Sequence, residues 1–292
     1  MLKFFIVDVF AERKYSGNQL AVIINAGKLP DRDMQSIARE MHFSETTFVT
    51  SNKIRNRGYD VRIFTPAMEV PFAGHPTLGT AYVIHKKVAK SKDLMITLNL
   101  KVGQIPVTFS RLNNDEVLWM KQISPTFGTI LDKETMAKVL NLNVEDIDGR
   151  FPIEEVSTGL PAIITPLKNL KAVKRAKIEE GRYLELIKVL DSKAILVFNP
   201  ETYNSQNDLN VRFFADYYGV REDPATGSAN GCLAAYLVKN KYFKKNKIDI
   251  RVEQGYEIDR PSLLYLKSES HGGKIDVNVG GKAIIVAEGK LV

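Results

Sequence analysis

The feature that most restricts the fold of this chain is a strand–loop–helix unit that occurs once in each half. Residues 61–65 form a β-branched and aromatic run, and a short linker leads from it to a helix start at Gly74. Residues 211–215 lead in the same way to a helix start at Gly227. Both helices consist mainly of small apolar residues, and a helix that is apolar nearly all round is a buried helix. The pattern predicts two similar domains, each built around one buried helix.

Strand-like segments rich in β-branched and aromatic residues dominate the rest of the chain. The predicted strands cover residues 3–10, 20–25, 46–51, 59–65, 93–101, 105–111, 116–122, 153–157, 162–166, 194–199, 210–215, 248–254, 262–267, 274–279 and 282–288. The predicted helices cover residues 31–42, 75–87, 133–140, 180–190 and 227–239. This pattern indicates an α+β fold in which a mostly antiparallel sheet or barrel wraps around each central helix.

The domain boundary is expected near Pro125 and Gly128, which gives domains of residues 1–125 and 126–292. The path of the last strand, which could cross back to the first domain, is left open. A chain of 292 residues suits one large or two medium domains. It can bury roughly three quarters of its unfolded surface, so it needs no disulfide or metal to hold a core.

Composition excludes several classes of protein. The net charge of +7 favours solubility and attracts anions, but the basic residues are scattered, so no nucleic-acid partner is expected. The single cysteine, Cys232, cannot form an internal disulfide, which fits a reducing compartment. The charged residue Asp8 interrupts the first apolar run, so this run is not expected to be a signal peptide. No apolar run is long enough to span a membrane. We therefore expect a cytoplasmic protein without a membrane partner.

The two glycine-led helix starts are candidate anion sites. The first N–H groups of a helix have no partner within it, and the helix dipole adds positive charge there. Gly74 in one domain and Gly227, Ser228 and Ala229 in the other are therefore predicted to bind a small carboxylic acid, held from both sides of a cleft. The alternative is that the glycines and prolines here only cap core helices.

Glu45 is the candidate general acid and base. Phe43 and Phe48 flank it, and an acid among apolar groups has its pKa raised towards neutrality, where it can both give and take protons. The alternative is an ordinary glutamate in a solvent-facing loop.

His75 and Asp223 complete the predicted catalytic set. His75 can act as a donor or a base, and Asp223 could orient a histidine or relay a proton. An aspartate before a proline also often just caps a turn. Cys232 lies in an apolar helical stretch and is expected to be a buried core residue. The sequence shows no phosphate loop, dinucleotide fingerprint, zinc cluster or nucleophile elbow, so we expect no cofactor and no metal.

Several motifs in a fixed order give the chain a resemblance to a known family, the phenazine-biosynthesis PhzF-like isomerases. These motifs are residues 8–10 (DVF), 17–22 (GNQLAV), 44–48 (SETTF), 65–77 (TPAMEVPFAGHPT), 222–229 (EDPATGSA), 254–255 (QG) and 260–262 (RPS). The resemblance runs almost end to end, and it implies the two-domain fold of diaminopimelate epimerase.

The resemblance also implies a function. It implies a cofactor-independent isomerase in which the glutamate at position 45 takes a proton from one carbon of a small, cyclic amino or hydroxy acid and returns one at another. It further implies that His75, Asp223 and Ser228 help to bind the substrate and position protons, and that the protein is a homodimer.

Some residues depart from the family and from its relatives. Gln19 stands where the family usually has proline, and Asp259 stands where glycine usually precedes the RPS run. Both changes are expected to adjust loops. The change at Asp259 would alter the rim of the cleft, so it puts the identity of the substrate in doubt. Epimerase relatives use two cysteines at the helix starts; here those regions carry Gly74 and Asp223, which argues against two-cysteine racemisation. The competing hypothesis is a non-catalytic small-acid-binding or interaction protein that retains the fold.

Overall fold

The computed structural model describes residues 2–89 and 93–292. Its strands are β1 (Leu2–Val9), β2 (Asn18–Ile24), β3 (Thr46–Val49), β4 (Tyr59–Phe64), β5 (Glu69–Val70), β6 (Met95–Leu100), β7 (Gly103–Leu112), β8 (Asp115–Lys121), β9 (Thr126–Leu131), β10 (Ile153–Ser157), β11 (Pro161–Pro166), β12 (Ile195–Asn199), β13 (Leu209–Phe214), β14 (Lys247–Gln254), β15 (Ser262–His271), β16 (Lys274–Gly281) and β17 (Ala283–Leu291). Its α-helices are α1 (Asp31–Met41), α2 (Gly74–Val83), α3 (Lys133–Val139), α4 (Leu170–Arg175), α5 (Glu180–Lys188) and α6 (Gly227–Lys239). A π-helical segment (Ile84–Ala89) follows α2, and short 3₁₀ turns lie at Ala26–Lys28, Val144–Asp146, Asp216–Tyr218 and Tyr256–Ile258. The fold is mostly sheet with few helices, so the α+β prediction is confirmed.

Contacts within the chain group it into two compact units. The first unit runs up to Lys121 and includes Gly280–Val292, and the second unit is Gln122–Val279. The sequence placed the boundary after residue 125 and left the path of the last strand open. In the structure β17 pairs antiparallel with β1, so the chain returns to the first unit at its end.

The first unit is a sheet wound around α2. Its strands pair in the order β17–β1–β2–β3–β4–β6–β7–β8. The β2–β3 and β4–β6 pairs are parallel and the others in this series are antiparallel. Parallel neighbours need a crossover connection, and α1 and α2 lie in the two crossovers. The central helix is therefore the second crossover of the sheet.

The second unit repeats this pairing pattern. Its strands pair in the order β9–β10–β11–β12–β13–β14–β15, with β11–β12 and β13–β14 parallel and the others in this series antiparallel. The first crossover holds α4 and α5, and the second holds α6. Both units thus place a buried helix in the second parallel crossover; the sequence repeat predicted the buried helix in each half, but not the crossover in which it lies.

Small residues let each sheet approach its central helix closely. All residues of α2 except Tyr82 are buried, and α2 packs on β1, β2, β3, β6, β7, β8 and β17. A Cβ atom on Gly79 would lie 2.6 Å from Leu20 Cδ2 and 2.7 Å from Val9 Cγ2. A larger residue fits this point of α2 only if the Leu20 and Val9 side chains shift.

The helix α6 is packed in the same manner against β10, β11, β14 and β15. Within α6, Ser228 and the final Lys239 are the residues that keep some exposure, and the remainder are buried. Among the described residues, no helix combines the length and apolar character needed to cross a membrane.

Candidate active site

Two of the predicted catalytic residues lie together in the first unit. Glu45 directly precedes β3, and His75 is the second residue of α2. Glu45 Oε2 lies 3.5 Å from His75 Nε2, and the side chains are 19% and 7% exposed, respectively. The glutamate is therefore half-buried against the helix start, and it retains a part of its surface through which another molecule can reach it.

The His75 ring is neutral at physiological pH. Burial lowers its pKa to about 3, and a smaller opposing effect comes from a hydrogen bond with the backbone of Gln19. A buried imidazole loses hydration that its charged form needs, which is why the charged form is disfavoured. The contact between His75 and Glu45 is therefore an approach of a neutral ring to a carboxyl group, and not an ion pair.

The other ring nitrogen of His75 meets a side chain that the sequence analysis gave no role. Asn18 Nδ2 lies 3.2 Å from His75 Nδ1, and both residues are buried. Asn18 is the first residue of β2, and the turn before it depends on Gly17, whose φ is +71°. A Cβ atom on Gly17 would lie 2.4 Å from the Val9 carbonyl oxygen, so a larger residue would displace this turn.

Buried hydroxyl groups fix the strand after Glu45 to the helix that carries His75. Thr47 Oγ1 of β3 and Thr80 Oγ1 of α2 share a hydrogen bond of 2.7 Å between fully buried residues. Thr77 Oγ1 donates to the Ala73 carbonyl at 2.7 Å and closes the first turn of α2. The relative positions of Glu45 and His75 are thus set by elements that are hydrogen-bonded to each other.

The start of α2 presents open backbone donors beside these side chains. The N–H groups of Gly74 and His75 belong to the first turn and have no acceptor inside the helix. Pro76 has no N–H to satisfy, and its ring suits the first turn. Such a start can hold an anion, and the binding role predicted for Gly74 stays a prediction.

The remaining predicted residues lie at the start of α6 in the second unit. Asp223 receives a hydrogen bond from the Thr226 hydroxyl, and its backbone N–H donates to the Phe213 carbonyl at 3.0 Å. Gly227, Ser228 and Ala229 form the first turn of α6, with open N–H groups like those of α2. The carboxylate of Asp223 therefore stabilises the turn that leads into α6 by accepting from Thr226. Its predicted catalytic role stays a prediction.

Gln254, at the end of β14, holds this second helix start in place. Its Nε2 donates to the Asp223 carbonyl at 2.8 Å and to Thr226 Oγ1 at 3.2 Å. Its Oε1 accepts from the Thr226 N–H at 3.2 Å and from Asn230 Nδ2 at 2.8 Å. Gln254 is fully buried, so these bonds replace water for the whole amide group. Gln254 and Asn18 both lie within sequence motifs of the family, but their contacts, and therefore their supporting roles, are visible only in the structure.

The single cysteine of the chain lies in the core of the second unit. Cys232 is fully buried in α6, and burial raises the pKa of its thiol to about 11. The prediction of a core cysteine is confirmed. Within residues 2–89 and 93–292, no group of three or more histidine, cysteine, aspartate or glutamate side chains is placed to hold a metal ion.

Comparisons with known proteins agree on one family. Residues 7–289 match the family model described as phenazine biosynthesis-like protein. The chain is 33% identical to a trans-2,3-dihydro-3-hydroxyanthranilate isomerase of Pseudomonas fluorescens, and the alignment covers 100% of both chains.

Solved structures place the fold in the same group. A phenazine biosynthesis protein of the PhzF family from Bacillus anthracis is similar with a TM-score of 0.92 and 29% identity, covering 100% of this chain and 99% of the other. A probable proline racemase from Agrobacterium radiobacter has a TM-score of 0.59 at 9% identity, covering 100% and 93% of the chains. At that identity the likeness concerns the fold alone, and it confirms the epimerase-like architecture.

Proposed function

Because the chain belongs to the PhzC-PhzF family of phenazine biosynthesis-like proteins and is an isomerase, we propose that it moves a proton between two carbons of a small carboxylic acid. Glu45 acts as the general acid and base, and the reaction uses no cofactor. The observation that carries this proposal is the half-buried Glu45 carboxyl group, 3.5 Å from the neutral ring of His75 at the start of α2.

The chemistry follows from this geometry. A carboxylate can take a proton from carbon when the negative charge that develops on the substrate is stabilised nearby. The first-turn N–H groups of Gly74 and His75 supply fixed donors for that charge or for the substrate carboxylate. The protonated Glu45 then returns a proton to a second carbon, so one side chain serves both halves of the reaction.

A small acid of cyclic form is the proposed substrate class. The Pseudomonas fluorescens relative is named for an isomerase reaction on trans-2,3-dihydro-3-hydroxyanthranilate, which is a cyclic amino acid with a hydroxyl group. We extend that class to this chain, without fixing the molecule. In this proposal the first turn of α6, with Gly227, Ser228 and Ala229, contributes donors for a carboxylate, and Asp223 and His75 support proton transfer.

Replacement of Glu45 by glutamine tests the proposal. Glutamine preserves size but cannot exchange a proton as a carboxylic acid does, so Glu45→Gln should lower the isomerisation rate by about 10²–10⁴. The substrate tested first is trans-2,3-dihydro-3-hydroxyanthranilate, followed by other small cyclic carboxylic acids. Affinity by calorimetry and the melting temperature should stay at the wild-type values, which separates lost chemistry from lost binding or folding.

The matched control is Glu40→Gln, which makes the same change at an exposed position of α1. It should leave rate, affinity and melting temperature unchanged. A Glu45→Gln protein that isomerises its substrate at the wild-type rate would remove Glu45 from the mechanism.

Two further expectations stay predictions. The homodimer is checked by light scattering at several protein concentrations, and the cytoplasmic location by cell fractionation.

A further inference from the structure

We propose that Asn18 is a positioning residue for this reaction, whose side-chain amide fixes the ring proton of His75 on Nε2, the nitrogen that faces Glu45. The functional meaning of this inference rests on the role proposed for Glu45. The position of the proton itself does not, because it can be measured without substrate.

The hydrogen-bonding capacity of a neutral imidazole decides which ring nitrogen carries the proton. One ring nitrogen carries the proton and donates, and the other accepts. Asn18 Nδ2 can only donate, and it lies 3.2 Å from His75 Nδ1. His75 Nδ1 must then accept, and the proton lies on Nε2.

Burial makes this assignment strong. Asn18 is 2% exposed and His75 is 5% exposed, so water cannot substitute for a missing hydrogen bond. A proton on Nδ1 would set two N–H donors against each other at 3.2 Å in a buried place. A buried donor that is left without an acceptor destabilises the folded protein, so this tautomer is disfavoured.

The backbone around Asn18 keeps its amide in this orientation. Asn18 begins β2 and lies opposite Val9 in the antiparallel β1–β2 pair. The neighbouring Gly17 turn allows no larger residue, as its close approach to the Val9 carbonyl shows. The amide is thus presented to His75 from a paired strand and not from a loose loop.

The proton on Nε2 has a consequence for Glu45. It places an N–H group on the ring nitrogen that faces Glu45, with Nε2 3.5 Å from Glu45 Oε2. A contact of this length is typical of an active site without substrate and tightens when the substrate binds. The reverse tautomer would direct a lone pair at the carboxylate and oppose it. Asn18 therefore acts on Glu45 through His75.

Nitrogen NMR on protein labelled with ¹⁵N-histidine tests the inference. The chain has four histidines, and the His75 signals are assigned by their absence from a His75→Gln sample. Because protonated and unprotonated ring nitrogens resonate far apart, the spectrum identifies the tautomer. The wild-type protein should show an unprotonated Nδ1 and a protonated Nε2.

The variant Asn18→Asp replaces the donor by an acceptor of the same shape. It should move the proton to Nδ1 and lower the isomerisation rate by about 10²-fold or more, the scale of general acid–base contributions. Asn113→Asp is the matched control, because it makes the same change at an exposed turn of the first unit. It should leave both the tautomer and the rate unchanged.

The outcomes separate this inference from the proposed function. A wild-type ring protonated on Nδ1, or an Asn18→Asp protein that keeps the wild-type tautomer, would overturn the role of Asn18 even if Glu45→Gln were inactive. The tautomer of His75 in the wild-type protein can be measured even if the Asn18→Asp variant does not fold. A proton on Nε2 that moves in Asn18→Asp supports the control of the His75 tautomer by Asn18. If Glu45→Gln were then to keep full activity, the proposed function of Glu45 would fall, and with it the positioning role of Asn18 in the reaction.

Discussion

Acid should destabilise the first unit through His75. The ring is buried and its pKa in the folded protein is lowered to about 3, whereas a histidine in an unfolded chain titrates near 6.5. Below pH 6.5 the unfolded chain therefore binds a proton that the folded protein does not. Folding stability is retained above the unfolded-state pKa and is lost as the pH falls below it.

The size of the loss follows from the difference between the two pKa values. Each unit of pH between them changes the unfolding free energy by about 1.4 kcal/mol. From pH 7 to pH 5 the contribution of His75 is about 2 kcal/mol, since the unfolded chain is still weakly protonated at the start of this range. The native-state pKa hardly enters this figure, because the folded ring is neutral throughout the range.

Urea unfolding of wild type and His75→Gln at several pH values measures this effect. Trp119 is the single tryptophan, and it lies in β8 of the first unit, so its fluorescence follows the unfolding of that unit. Between pH 7 and pH 5 the unfolding free energy of the wild type should fall by about 2 kcal/mol more than that of His75→Gln. Between pH 7 and pH 8 the unfolding free energies of the two proteins should change by the same amount, which is the internal control. Equal losses in both proteins down to pH 5 would refute the neutral, buried His75.

Other predictions concern the packing of the two central helices and the buried ions. Gly79→Ala should destabilise the protein by about 1–3 kcal/mol, because its new methyl group would overlap side chains of the sheet. Gly181→Ala, at an exposed helix position where the new methyl group would make only ordinary contacts with the Glu179 carboxylate, should be neutral or stabilise by up to about 1 kcal/mol. Arg212→Ala should cost about 3–5 kcal/mol in urea unfolding, since it leaves the buried carboxylate of Glu222 without its bidentate partner. The matched Arg182→Ala breaks an exposed pair and should cost less than about 1 kcal/mol. Cys232 should react with a coloured thiol reagent only after unfolding, and rapid reaction in the folded protein at pH 7 would contradict its buried position.

Local signals were enough to locate the central helices. Both α2 and α6 begin at a glycine, and small apolar residues fill both helices, so their position and burial could be predicted from the sequence. The same local information pointed to Glu45 and His75, which the structure brings to 3.5 Å from each other.

Elements that depend on distant partners could not be predicted. The strand β9 was interpreted as a domain boundary because Pro125 precedes it and Gly128 lies within it. Its strand character comes from pairing with β10. The short helix α4 was missed because six residues carry little helical periodicity; the Asn169 side chain caps it by accepting from the Ala172 N–H at 2.8 Å.

The contacts that support the site are also long-range. Asn18 and His75 are separated by 57 positions in the chain, and Gln254 reaches the Asp223 carbonyl across 31 positions. Such pairings depend on strand order and register, which hydrophobic periodicity does not encode. The parallel pairs β2–β3 and β4–β6, which position Glu45 and α2, belong to the same class of information.

The most direct test of the central claim is the appearance of carbon-bound deuterium when the enzyme acts on its substrate in D₂O. If Glu45 moves the proton, wild type and Glu40→Gln should place deuterium on the carbon that gains a hydrogen, and Glu45→Gln should do so at a rate lower by about 10²–10⁴. Deuterium incorporation by Glu45→Gln at the wild-type rate, with the substrate still bound at the wild-type affinity, would contradict the account.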